Sequence, residues 1–464
     1  MSAVRATGDR SDSPAPRSDL VVVVGGGFAG LSAAAALAEH GRRVLVVDAR
    51  AQLGGRATAF RDRETGELVD NGQHVLFGCY RGTFEFLDRI GASDRVRVQP
   101  SLAVPYIDRE GGRSVLQCPR LPSPFHLLAG VLGWTGIPWR DRRSVLKLAR
   151  PLRRARRELQ RTGSVTADPA GTVSEWLIAH GQREVLRKWL WEPLAVAALN
   201  QSPAVAAASP FVRVLAQMFG PDPRDSALVL PIRPLHEMYA EPARVFIESR
   251  GGEVRLNALA RVVVDGGRVS AVDVRGERIA TRSVVSAVPW FDLGKLFNPA
   301  PPTELAPLLA SAARMESMPI VTVNLWYDGR VMDEAFVGLP EREMQWVFDK
   351  RIAFGGKASH LSLVSSGATR LTSMSRDELT TLAAREVAEA IPAARRDRLL
   401  RATVVREKRA TFSLAPGEPA RPATKTAVHG LYLAGDWIDT GLPGTIESAV
   451  ISGHRAANTL LNDD

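Results

Sequence analysis

Residues 20–56 read LVVVVGGGFAGLSAAAALAEHGRRVLVVDARAQLGGR. A β-branched run over 21–24 enters a turn at Gly25, Gly27 and Gly30, an alanine-rich helix follows, and a second apolar run over 44–47 ends at Asp48. Strand, glycine turn, helix and strand in that order predict a dinucleotide-binding unit. Gly25 permits the tight turn, Gly27 lets a pyrophosphate approach the backbone, and Gly30 lets the helix lie close to the sheet. The helix opens at Phe28 and Ala29 with free amide donors and the positive end of its dipole toward that diphosphate. Asp48 stands where a carboxylate accepts hydrogen bonds from a ribose diol; an arginine there would point to a 2′-phosphate. The bland alternative is a glycine turn of some other parallel sheet. The flanking strands, the terminal acid and a following Gly54-Gly55-Arg56 weigh against it. Residues 20–38 carry no charge, but their alanine and glycine make a poor membrane span.

At 464 residues the chain exceeds one small core, so two closely packed domains are expected. Its 45% hydrophobic and 24% charged residues suit a globular protein. Two cysteines, Cys79 and Cys118, exclude a disulfide framework and suit a reducing cytoplasm. Sixty Lys and Arg against fifty Asp and Glu give +10, which favours anionic partners. No nucleic-acid signature accompanies that charge, so an acidic lipid surface is the expected partner. The eight histidines are scattered without ligand spacing, which leaves metal binding unsupported. Residues 1–19 are polar, contain proline and read as a disordered tail without the apolar core of a signal peptide. No later segment is long and apolar enough to span a bilayer, so a cytoplasmic protein peripheral to the inner face of the membrane is expected.

Along the chain, α/β texture over 20–99, 227–299 and 403–464 alternates with another texture over 100–226 and 300–402. Residues 121–139 are apolar and aromatic, and residues 140–161 are intensely basic. Apolar wedge followed by cationic helix is the pattern of peripheral docking on an anionic bilayer; the structural alternative is an internal helix pair with a solvated arginine face. A second apolar helix follows over 188–203 and contains Glu192. Strands are expected over 320–328, 344–350 and 360–366, and a helix over 375–390. The end returns to a strand at 431–434, then Gly435-Asp436 and a turn into a helix near Gly444 and Thr445. An acid at that turn can hold a ribityl chain or pyrophosphate water, and the helix start can face a flavin pyrimidine edge. The opening GxGxxG and the closing GDxxxxGxPGTxESA lie about 400 residues apart and together are specific.

On these motifs the chain from residue 20 onward resembles the flavin-containing amine oxidase, phytoene desaturase and protoporphyrinogen oxidase superfamily. Within it, DNGQHVLFGCYRGTFEFLDRIGA, KWLWEPLAVAALNQSP, FVGLPEREMQWVFDK and GDWIDTGLPGTIESAV are most similar to the hydroxysqualene dehydroxylases, also called squalene-associated FAD-dependent desaturases. The resemblance implies an α/β fold: a two-dinucleotide-binding, Rossmann-type FAD domain, discontinuous in sequence, with an α+β substrate domain. It implies FAD as cofactor, noncovalent because no cysteine lies near the closing motif. It further implies a loop with Gly72 and Gln73 along the flavin ring, backbone of a strand near Val262 and Val263 against adenine, and Gly55 and Arg56 beside phosphate. The implied reaction reduces hydroxysqualene, a long apolar isoprenoid, to squalene on the way to hopanoids, with an electron donor that the sequence does not name. Asp48 departs from the glutamate common in the superfamily.

Loss of an allylic hydroxyl as water needs a proton donor, and a dry apolar enclosure must let hydride, not solvent, reach the resulting cation. His74 is the first candidate donor, then Asp70 and Glu192; a satisfied structural histidine is an equal reading of His74. Trp189, Trp191, Trp326, Trp346 and Phe348 could line the tunnel, although aromatic core packing explains any one of them as well. Oxidative desaturation of a polyisoprenoid, as in carotenoid desaturases, stays open, as does the less favoured amine oxidation. A non-catalytic prenyl-binding escort is opposed by the intact Gly25, Gly27, Gly30 and Asp436.

Overall fold

The valine run forms the strand Leu20–Val24, buried along its whole length. It lies at the centre of a five-stranded parallel sheet in the order Glu253–Arg255, Arg43–Val47, Leu20–Val24, Ser283–Ser286, Leu431–Leu433. Strands of a parallel sheet covered on both faces have no solvent side, which is why these read as unbroken apolar runs. Their register brings the carboxyl ends level: Val24 pairs with Val47 and with Ser286, and Ser286 with Leu433. The computed structural model giving this description covers residues 20–355 and 359–463. The expected N-terminal tail lies outside the described residues.

Helix Phe28–Glu39 packs between this sheet and helices Ile446–Asp463 and Glu241–Glu248. All but its last residue are buried, and a helix enclosed on every side is apolar all round rather than amphipathic. Its contact with the C-terminal helix is close: a Cβ on Gly453 would stand 2.2 Å from the Ala29 carbonyl.

The second layer is a seven-stranded sheet in the order Leu399–Phe412, Ser317–Tyr327, Ser359–Ser366, Trp346–Asp349, Phe336–Gly338, Ala103–Ile107, Arg113–Gln117. Strands from residues 103–117 thus join strands from 317–412, and helices between Phe125 and Met218 cover them. The long strand Ser317–Tyr327 shows a period of two on both buried faces. Val321, Val323 and Leu325 pack with Leu379, Ala383 and Val387 of helix Arg376–Ala390. The alternate residues Thr322, Asn324 and Trp326 face the other way, toward the hairpin of Ala59–Arg61 and Leu68–Asp70, where Trp326 donates to Glu67 at 2.7 Å. The loop that follows this hairpin, with Gly72, lies against Thr322 on that polar face.

Candidate active site

The glycine turn opens at the level carboxyl ends of the strands, where α/β sheets bind ligands. A Cβ on Gly30 would stand 1.8 Å from the Gly25 carbonyl, so only glycine lets the helix start this close to the strand. Gly27 differs in kind, because a Cβ there would meet only the backbone of Gly55 at 3.8 Å and Gly54 at 3.9 Å. Two glycine turns thus face one another across a gap without side chains. Phe28 and Ala29 begin the helix at that gap, and the Phe28 ring turns inward to stack on Tyr239 at 3.5 Å. The Tyr239 hydroxyl reaches the Gly54 carbonyl at 2.8 Å and the Ala57 carbonyl at 3.2 Å, buttressing the second turn. Asp48 accepts from Gly26 N at 2.7 Å and Arg50 N at 2.8 Å. The short carboxylate therefore holds the glycine turn itself. Ser286 Oγ, at the end of the strand Ser283–Ser286 beside the central one, is buried with no hydrogen-bond partner among the described residues.

The opening and closing motifs meet. Arg56 forms an ion pair with Asp436, donates to the Ala410 carbonyl at 2.8 Å, and lies 5.7 Å from the Trp290 ring centroid. Asn71 ties the same segment down, donating to the Arg56 carbonyl and accepting from Thr58 N at 3.2 Å. A Cβ on Gly444 would meet Thr411 at 3.1 Å and Asp436 Oδ2 at 3.3 Å, and Thr445 Oγ1 accepts from Ser448 N at 3.2 Å at the start of the last helix. Glu447 is wholly structural: it accepts from Gly82 N at 2.9 Å, Thr83 N at 2.8 Å and Thr83 Oγ1 at 2.7 Å. Its carboxylate thus caps the helix Arg81–Arg89. Burial pushes its carboxyl up, while these donors pull it back.

Around residues 70–74 the structure gathers a group of which the sequence showed only part. Lys350, at the start of the short helix Lys350–Phe354, donates to Asp70 at 2.7 Å and to Gln73 at 2.5 Å, with its ammonium 4.4 Å from the Phe354 ring centroid. Asp70 also accepts from Leu235 N at 3.0 Å, so both of its oxygens are occupied. His74 Nδ1 pairs with the Gly72 carbonyl at 3.1 Å, which assigns the proton to Nδ1 and leaves Nε2 an acceptor. Desolvation holds the His74 imidazole below its usual range; Asp70 pulls the other way and Lys350 adds to the depression. The residue as a whole is half-buried. Beside Gly72 lies Thr322 Oγ1, 3.9 Å from where a Cβ would stand, buried and without a partner among the described residues.

The remaining expected residues separate. Glu192 opens helix Glu192–Leu199, where burial pushes its carboxyl up and Arg187, Lys188, Glu184 and Glu341 are the charges acting on it. That is a different neighbourhood from His74, whose charges are Asp70 and Lys350. Trp189 and Trp346 both lie against Tyr106, at 6.5 and 6.0 Å, and Phe348 stacks on Phe336 at 5.8 Å, forming one aromatic wall. Trp191 instead donates to Gln182 at 3.0 Å inside the helical core, and Trp326 stacks on His360 at 4.2 Å beneath the hairpin. Val262 and Val263 form part of strand Ala260–Asp265, but the Val262 carbonyl already accepts from Asn298 N at 3.3 Å and the Val263 carbonyl from Ser270 Oγ at 3.3 Å. Burial pushes both thiols, Cys79 and Cys118, up to about 12, so neither is a nucleophile at neutral pH. Among the described residues no cluster of metal-ligating side chains occurs.

The facing glycine turns, the orphaned Ser286 hydroxyl and the Arg56–Asp436 bridge fit FAD, and together with the two-sheet fold they define a FAD-dependent oxidoreductase. Residues 28–461 match the family described as flavin containing amine oxidoreductase, and the chain belongs to that family. It is 29% identical to a hydroxysqualene dehydroxylase of Rhodopseudomonas palustris, over 96% of this chain and 99% of that protein. It is 26% identical to the 15-cis-phytoene desaturase of Solanum lycopersicum, over 97% of this chain and 79% of the relative. A solved oxidoreductase from Methanosarcina mazei shares the fold, with a TM-score of 0.72 at 16% identity over 95% of this chain and all of that one.

Proposed function

We propose that the protein removes the hydroxyl of hydroxysqualene reductively, giving squalene. The likeness to hydroxysqualene dehydroxylases along nearly the whole chain supports this reading. The observation that carries it is the buried Lys350–Asp70 pair beside His74, whose imidazole desolvation holds below its usual range and whose neighbour Val75 packs on the core that contains Phe348. When bound, FAD in its reduced form supplies the hydride that this chemistry needs. His74 Nε2 accepts the hydrogen bond of the substrate hydroxyl and orients it. Lys350 donates a proton to that oxygen, the carbon–oxygen bond breaks, water leaves, and the allylic cation takes over the positive charge that the ammonium gave up. Asp70 keeps its negative charge throughout, so one cation replaces another beside a fixed carboxylate. Lys350 regains its proton after the hydrocarbon product leaves and water re-enters the site. The aromatic wall of Trp189, Trp346, Tyr106 and Phe348 keeps water from the cation.

Oxidative desaturation of a polyisoprenoid is the second reading, favoured by the likeness to phytoene desaturases. Anaerobic incubation of the photoreduced protein with hydroxysqualene separates the two. The expected result is flavin reoxidation with stoichiometric squalene. Reoxidation only on adding oxygen, with hydroxysqualene recovered intact, would defeat the first reading.

A further inference from the structure

Residues 140–161 hold ten Lys or Arg against two acids, a net +8 of the +10 carried by the entire chain. Helix Ala149–Thr162 sorts these charges by position: Leu152 and Ala155 are buried toward helix Ala208–Met218, while Arg150, Arg153, Arg157 and Arg161 stand exposed on the opposite side. Among the described residues Arg154 is the only basic residue of the run in a salt bridge, to Asp168 at 2.9 Å, and Asp141 of the run pairs with Arg183 at 3.1 Å. A solvated cationic face needs no further explanation by itself. Its neighbours do.

Leu121, Phe125, Trp139 and Leu146 are 41%, 61%, 54% and 47% exposed. Soluble surfaces seldom show that much large apolar area in one short stretch. Helices Phe125–Gly133 and Trp139–Arg142 and the turn Arg143–Leu148 contact one another. Arg142 clamps them by donating to the Leu132 carbonyl at 2.7 Å while its guanidinium lies 5.3 Å from the Trp139 ring. The same helix that exposes Phe125 turns Leu128 and Leu132 inward, onto the core that holds Phe348 and, at its margin, Trp189 and Trp346.

We infer that residues 121–161 form a docking surface for an anionic lipid bilayer, with Phe125 and Trp139 entering the interface and the arginine stripe lying on phosphates. Charge complementarity selects the occupant, because an apolar wedge alone would suit many partners, whereas wedge and net +8 together suit a membrane of acidic lipids. Among the described residues no helix is long and apolar enough to cross a membrane, so the attachment is to one leaflet. The surface stands independently of which isoprenoid reaction the site performs.

The test is flotation of the full-length protein with vesicles of phosphatidylcholine alone or with about a third phosphatidylglycerol. Binding is expected to the acidic vesicles only. Charge reversal of Arg150, Arg153 and Arg157 to Glu should weaken it at least roughly a hundredfold, taking about a fivefold change per basic residue lost near the surface. Phe125→Ser with Trp139→Ser should release the protein at salt concentrations that leave the parent bound. Circular dichroism and the visible flavin spectrum identify any variant that has simply misfolded. Absence of binding to acidic vesicles overturns the inference. So does binding that survives both sets of substitutions, or equal retention by a duplex DNA column that ignores Phe125 and Trp139, which would mark a general polyanion surface.

Discussion

Lys350 Nζ stands 2.7 Å from Asp70 Oδ2, with 3% and 2% of the two side chains exposed. Removing one member of such a pair strands the other charge in a low dielectric, which costs about 3–5 kcal/mol, whereas removing both is often close to neutral. Lys350→Met should therefore lower the melting temperature markedly, and Lys350→Met with Asp70→Asn should recover much of the loss. Turnover separates structure from chemistry. If Lys350 supplies the proton, the double variant regains stability but not activity. A stable double variant with parental turnover would remove Lys350 from the mechanism.

Arg56 and Asp436 join the two cofactor motifs across the crevice. Asp436→Asn keeps the shape but removes the charge that holds the guanidinium, and Arg56→Met removes the donor and its hold on the Ala410 carbonyl. A charge-assisted hydrogen bond of this kind contributes about 1.5–3 kcal/mol, so FAD affinity should fall roughly tenfold to a hundredfold in either variant. Titration of the apoprotein with FAD, followed by flavin fluorescence, checks this. Unchanged affinity in both would show that the bridge serves only the fold.

Both of these residues were visible in the sequence because each belongs to a motif, but their pairing was not, since 380 positions separate them. Lys350 was invisible for a different reason: a lone lysine ending an apolar strand carries no spacing signal, and its partners lie about 280 residues upstream. A weaker signal was present in IVTVNLWYD, where Thr322 and Asn324 interrupt an apolar run at alternate positions. Polar residues at a period of two in a strand buried on both faces mark one face as something other than core. That face lies against Gly72 and the hairpin before it. Glu192 looked catalytic because it is a carboxylate in an apolar helix, but sequence cannot show that its neighbours are the outer charges Glu184, Lys188 and Glu341.

The histidines make stability depend on pH in a definite direction. Desolvation lowers His74, and pushes His360 down to about 3 and His454 down to about 4. In each case the folded chain binds its proton less readily than the unfolded chain, for which the value is near 6.5. Stability is therefore complete above about pH 6.5 and falls as the pH drops from there toward 4 and then 3, by up to about 1.4 kcal/mol per pH unit for one fully buried histidine. His360→Asn keeps a group able to pair with Asn324, now 3.0 Å from His360 Nε2, and should flatten the acid limb of the melting temperature against pH. An unchanged acid limb would place the titration elsewhere.

Glu447 gives the sharpest separation of a conserving change from a deleting one. Its two oxygens serve three donors at the buried start of helix Arg81–Arg89, two of them backbone amides with no intrahelical partner. Glu447→Ala removes all three acceptor contacts at once, and loss of hydrogen bonds to a charged group at a helix start should cost on the order of 2–4 kcal/mol. Glu447→Gln retains one carbonyl oxygen but must turn its amide nitrogen toward either Gly82 N or Thr83 N, so it should recover only part of that loss. Because the residue lies in the first turn of the last helix, two residues after Thr445, the Ala variant should also bind FAD less tightly even where it stays folded. Denaturant midpoints of the apoprotein give the first quantity and FAD titration the second. Equal stability of the Gln and Ala variants would mean that the carboxylate charge, rather than the number of acceptors, holds the helix in place.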